Sequence, residues 1–253
     1  MKVIRLTYAT RLLLAMSAYL GLYVLGENMA GAWRDPRPGR LGAAIELVRG
    51  WSRRLHLHEG VRLAYCLIIP YVVLSRGWVS PLDLGLADLD WIRGSGRAVA
   101  ITAGSLILLA FTWWQYARLL GSEAAVPHVD WLAQPWGWAF AVREAIYLEA
   151  SWALVRSPML LLAGPYFGAY LGLAAVYAAE LLNARVRHEL SIPGVREEAV
   201  LTASLAIVTA TLFVYVHNLW LCIAAHASLR LAVARLVQWR VGRIVPQGPD
   251  SPV

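Results

Sequence analysis

The stretch REAIYLEASWALVR, Arg143 to Arg156, sets two glutamates and two arginines among leucine, isoleucine, tryptophan and alanine. Further along the chain, Glu180 follows VYAA, and His226 and Arg230 lie four apart in CIAAHASLR. A carboxylate, a second carboxylate or imidazole, and a further such group on facing helices can activate a water for hydrolysis, directly or through a divalent metal such as zinc. A single glutamate or histidine would carry no such meaning, since a lone buried histidine is more often part of a hydrogen-bonded core. Each ionised group at the centre of a bilayer costs at least about 2.5 kcal/mol. Whatever these residues do, something must compensate them.

The surroundings explain why a bilayer is the right reference. Of 253 residues, 59% are hydrophobic and only 15% charged, against about 25% charged in an ordinary soluble domain, and the mean hydropathy is +0.54. That composition belongs to an integral membrane protein, all-α, with one multi-pass transmembrane helical bundle of about seven spans in a single domain over residues 1–253. The net charge of +7 comes almost wholly from arginine. These arginines flank apolar runs, where basic side chains set topology and meet anionic headgroups, so the partner is the lipid bilayer and not nucleic acid. Cys66 and Cys222 both fall inside apolar segments and read as small core side chains.

About twenty apolar residues cross a hydrocarbon core of about 30 Å. The candidate spans are Leu12 to Gly26, Arg62 to Val79, Val99 to Leu119, Trp136 to Val155, Leu160 to Leu182, Ala199 to Val216 and Leu219 to Val237. The last two are separated only by His217 and Asn218. A single helix over both would be about twice the core thickness, so the chain must turn there, with Asn218 suited to a left-handed residue. Residues 34–60 open with proline and glycine and continue as an Arg-rich amphipathic stretch expected on the membrane surface. Residues 79–96 read as a polar connector with a short interfacial helix anchored by Trp91. The tail, 244–253, is expected to be disordered.

Arginine crowds the first connection, the fifth connection and the C-terminal end. The positive-inside rule then sets the C-terminus in the cytoplasm, in a cell membrane. The ionisable residues inside the spans are Arg143, Glu144, Glu149 and Arg156 on the fourth, Glu180 on the fifth, and His226 and Arg230 on the seventh. On those spans Glu144, Glu180 and His226 are expected at depths that let them converge. Glu149 and Arg156, seven apart, share a helix face, while Glu149 is turned away from Glu144.

The spacing resembles the CAAX prenyl protease and bacteriocin-processing (CPBP) family of intramembrane endopeptidases over residues 136–237. REAIYLE resembles the family's EExxxR motif, with Glu144 at the leading glutamate. VYAAELL falls at the place of its FxxxH motif, with Glu180 at the histidine, and NLWLCIAAHASLR resembles its HxxxN motif, with His226 at the histidine and Arg230 at the asparagine. The resemblance implies a membrane metalloendopeptidase in which Glu144 is the general base, Glu180 accepts a proton or binds a metal, His226 binds a metal or the oxyanion, and Arg230 stabilises the oxyanion. Ala145 and Glu149 depart from the first motif. The three acids Glu144, Glu149 and Glu180 balance the three bases Arg143, Arg156 and Arg230, as a structural ion network would require. Three readings therefore stand together: a membrane endopeptidase, a catalytically silent scaffold that holds a hydrophobic peptide or a partner helix, and a small transporter or proton-relay protein.

Overall fold

The computed structural model describes residues 2–34, 57–120 and 134–244. The fold is all-α, with no strand among the described residues: α1 (Lys2–Arg34), α2 (Leu57–Leu63), a π-helical turn (Ala64–Ile68), α3 (Ile69–Ser75), α4 (Trp91–Leu120), α5 (Gly137–Leu182), α6 (Ala184–Glu189), α7 (Val195–Val216) and α8 (Leu219–Ile244). Among the described residues five helices are long and apolar enough to cross a membrane, where seven spans were expected: Tyr8–Met29, Trp91–Tyr116, Gly137–Leu182, Val195–Val216 and Leu219–Trp239. The protein is thus a multi-pass integral membrane protein. The Arg-rich stretch and the tail after Ile244 lie outside the described residues.

Two local features account for the difference. The expected second span is divided by the π turn, and Gly77, at φ +68, follows the end of α3, with Gly77 and Trp78 donating to the Leu74 and Val73 carbonyls. The expected fourth and fifth spans are both inside α5, which bends at Gly164 (φ 76, ψ 171) just before Pro165. This is a fold-back. A Cβ on Gly168 would stand 2.4 Å from the Met159 carbonyl oxygen, and one on Gly172 would stand 2.6 Å from Arg156 Cα. In a straight helix those residue pairs would be about 13 Å and 24 Å apart. Residues 137–163 and 165–182 are therefore two antiparallel arms, and the glycines at 164, 168 and 172 repeat at the small-xxx-small spacing that lets helix backbones touch.

The chain divides into two compact units. Unit 1 comprises Met1–Leu84 and Tyr147–His188. Its α1 buries Leu12, Met16 and Tyr19 along one stripe, the three- and four-residue spacing of a helix face. Tyr19 and Tyr65 are stacked with ring centres 4.1 Å apart, and each phenol donates to the other's backbone carbonyl, at 3.4 and 3.1 Å. Near the start of α1, Tyr8 donates to Asp83 and accepts from the Ser80 amide.

Unit 2 comprises Gly85–Ile146 and Glu189–Val253. Helices α4, α7 and α8 pack on one another around Leu109, Trp113, Leu201, Leu205, Leu229, Val233 and Val237. All three helices contribute at four-residue intervals, the ridge that neighbouring helices interlock. Trp91 opens α4 itself rather than a separate interfacial helix. The tight turn between α7 and α8 is present, but the left-handed residue is His217 (φ 50, ψ 41), not Asn218. Asn218 has the other task a turn requires: its Oδ1 accepts from the Trp220 and Leu221 amides at 2.9 and 3.2 Å, capping α8. Gly85, at φ +70, fits against this turn, its carbonyl accepting from the Leu219 amide at 2.9 Å. A Cβ there would lie 2.7 Å from Phe213.

Candidate functional site

The polar groups of unit 2 gather around the start of α7. Gly194 ends the preceding turn at φ +87, and Glu197 and Glu198 occupy the first turn of the helix, where the exposed N–H groups and the helix dipole favour negative charge. Glu197 is buried. It accepts from the Gly194 amide, from Tyr116 Oη of α4 at 2.7 Å and from Arg196 at 3.1 Å. Its neighbour Glu198 pairs with Arg230, which reaches it from α8. The two adjacent acids thereby tie α7 to α4 and to α8.

Arg230 has 8% of its side chain exposed and Glu198 has 26%. The arginine that balances with Glu144, Glu149 and Glu180 in the sequence thus pairs with an acid outside that set. His226, one turn before it on α8, is fully buried. Cys222, a further turn back, donates to the Thr209 carbonyl at 3.6 Å, and Cys66 and Cys222 are both buried and outside any disulfide. Glu144 is buried on the first part of α5 and pairs with the adjacent Arg143 at 3.4 Å. The Arg143 guanidinium also lies 4.6 Å from the centre of the Phe140 ring, a cation–π contact that lets it remain in apolar surroundings. Glu144, His226 and Arg230 are therefore all buried groups of unit 2.

Glu180 belongs to unit 1, as do Glu149 and Arg156. Glu149 and Arg156 are both buried on the first arm of α5. The close approach of Gly172 to the Arg156 backbone seats this part of the arm against its return. Glu180 is near the end of the second arm, partly buried, within electrostatic reach of Tyr23 of α1 and of Tyr177 on its own arm. Tyr177 is also within reach of Glu149. Beyond the arm, Glu27 of α1 pairs with Arg185 at 3.3 Å, and Asn28 Oδ1 accepts from the Ala184 amide at 3.4 Å.

For a metal, the test is the donor set. Among the described residues no three histidine, cysteine, aspartate or glutamate side chains gather in an arrangement that could hold one. Glu180 and His226, the expected metal ligands, fall in different units.

Glu197, Glu198 and Tyr116 did not emerge from the sequence as functional residues. The signal for the two acids was present in PGVREEAVL: proline and glycine ending a turn, then paired acids ahead of an apolar run, which is the pattern of a helix start. Tyr116, Tyr23 and Glu27 gave no such signal, because groups they meet are remote in the chain. No protein-family model, no curated protein and no solved structure matches this chain.

Proposed function

We propose that this protein is a catalytically silent, CPBP-like scaffold of the cell membrane that holds a hydrophobic peptide or a partner helix. The observation that carries the reading is the pairing of Arg230 with Glu198. Arg230 stands where the family resemblance puts the oxyanion-stabilising asparagine, and a guanidinium held by a carboxylate has its charge already answered. The same is true of Glu144, at the position of the general base, which lies against Arg143. A base whose lone pairs are occupied by a cation is less able to take a proton from water. The polar groups of unit 2 serve to join helices, while the exposed apolar side chains supply surface for lipid and for an apolar ligand. The C-terminus is cytoplasmic, following the arginine bias of the connections.

The endopeptidase reading keeps one observation in its favour: Glu144 and His226, the two residues that match the family motifs, are both buried in unit 2. One experiment separates the two. Purified protein in liposomes is incubated with hydrophobic and prenylated test peptides, and binding and cleavage are both measured for the wild type and for Glu144→Gln. The scaffold reading expects equal binding by both and cleavage by neither. Cleavage by the wild type that disappears in Glu144→Gln, with the protein still folded, would overturn it in favour of the endopeptidase.

A further inference from the structure

The carboxylates of this chain are not equally provided for. Glu198 pairs with Arg230, Glu144 with Arg143 and Glu27 with Arg185, and Glu149 shares the buried stretch of its arm with Arg156. The Glu180 side chain makes no hydrogen bond or ion pair with any of the described residues. It is nevertheless part of a helix long and apolar enough to cross the membrane. An ionised carboxylate without a cation is costly in such surroundings.

What does surround Glu180 is hydroxyl and amide. Tyr177, one turn earlier, has its hydroxyl buried and without a hydrogen-bond partner, yet within electrostatic reach of both Glu180 and Glu149. Tyr23, on α1, is within reach of Glu180, Glu27, Arg185 and Cys66, with its ring 5.8 Å from that of Tyr65. Asn183, fully buried, donates its amide N–H to the Glu180 carbonyl at 3.0 Å, and its side-chain nitrogen has no partner. Among the described residues, the Glu180 carboxyl thus has no ion-pair partner, and two buried polar atoms close to it in sequence have open hydrogen-bonding capacity. Arg185, five residues on, pairs with Glu27.

We propose that Glu180 is a reversible proton-binding site, a partly buried carboxyl group of unit 1 that takes up and releases a proton within the membrane-spanning helix, with the Tyr177 and Tyr23 phenols in its electrostatic surroundings. A protonated carboxyl is neutral and removes the cost of the charge, and it has one O–H to donate and oxygens that accept. On release, the proton leaves the carboxyl oxygen for water at the exposed side of this partly buried group, so that only Glu180 changes charge. The inference stands on unit 1 and is independent of whether unit 2 binds a peptide.

Hydrophobic carbodiimides react with protonated carboxyl groups in apolar surroundings, which gives a residue-resolved test. Full-length protein in liposomes is treated with such a reagent over a range of pH, digested, and the modified glutamates identified by mass spectrometry. The expected result is modification of Glu180 that falls as pH rises and is unaffected by sodium or potassium at constant pH. Tyr177→Phe should move the pH of half-modification, which the loss of a merely structural hydroxyl would not do. Absence of modification at Glu180 at every pH would overturn the proposal, as would modification independent of pH. Protection by sodium or potassium would also overturn it, by making the ligand a metal cation. Because the wild-type measurement identifies the residue directly, it stands even if Glu180→Gln fails to fold.

Discussion

Removing either member of the Arg230–Glu198 pair should destabilise the protein, and the two losses should differ in a direction set by burial. Glu198→Ala takes the carboxylate away from a guanidinium with only 8% of its side chain exposed. Loss of one partner from a buried pair costs about 3–5 kcal/mol, and this side of the pair meets that condition. Arg230→Met leaves a carboxylate with 26% of its side chain exposed, in the first turn of α7. Water reaches it in part, and the helix dipole offsets about 0.3–1 kcal/mol, so the expected cost is about 1–3 kcal/mol. Methionine also keeps most of the arginine's apolar volume against neighbouring helices.

The assay is thermal unfolding in one detergent, run as a double-mutant cycle. Glu198→Ala should be the less stable single variant, and the double variant should be more stable than Glu198→Ala alone, because it also removes the buried charge that has lost its carboxylate. Two outcomes would refute the reasoning: Arg230→Met costing more than Glu198→Ala, or losses that add to within about 0.5 kcal/mol, as sites that do not interact behave. The sequence-level expectation of a balance between Arg230 and Glu180 would have put the rescue at position 180. The structure puts it at 198.

Gly85→Ala should lose about 1–3 kcal/mol from the left-handed backbone alone, and more from the approach to Phe213, read as a lower midpoint of thermal unfolding. Asn218→Ala removes the cap of α8 and should cost about 0.5–2 kcal/mol, whereas Asn218→Asp should retain most of the stability. Gly172→Leu places a side chain against the Arg156 backbone and should prevent the two arms of α5 from closing, seen as loss of crosslinking between cysteines introduced at Met159 and Ala169. A reporter fused after Arg243 should be active in the cytoplasm, and activity on the outer face would reject the assigned orientation.

The sequence told most about the parts whose cause is local. The apolar runs of membrane length fall inside α1, α4, α7 and α8, because the helices satisfy their own backbone and the side chains need only match the lipid. The turn at His217–Asn218 followed from length alone. Its chemistry did not, because either residue is able to occupy a left-handed position or a cap, and the choice is made by the approach of Gly85 from a distant part of the chain. The π turn at Ala64–Ile68 shortened an expected span for a similar reason: hydropathy does not register how backbone hydrogen bonds are distributed. Burial of Glu144, Glu149, Arg156, His226 and Arg230 was legible from their places in apolar runs. The Arg230–Glu198 pairing was not, since Glu198 looks from the sequence like an ordinary acidic residue at the start of a helix.

The two units handle buried polarity by different means, and this bears on what each is suited to do. In unit 2, formal charges meet as neighbours or across helices: Arg230 with Glu198, Arg196 with Glu197, Arg143 with Glu144. Such pairs hold a geometry and resist rearrangement, since parting them exposes a charge to an apolar interior. Unit 1 also has the Glu27–Arg185 pair and the buried Arg156, but within electrostatic reach of Glu180 it has the phenols of Tyr177 and Tyr23, which are neutral, donate and accept. A rigid set of ion-paired helices suits holding a ligand or partner. A set of hydroxyls around a carboxyl without a counter-charge suits a group that changes its protonation. The fold-back at Gly164 serves the second of these directly, because it returns the chain from Glu149 on one arm to Tyr177 and Glu180 on the other.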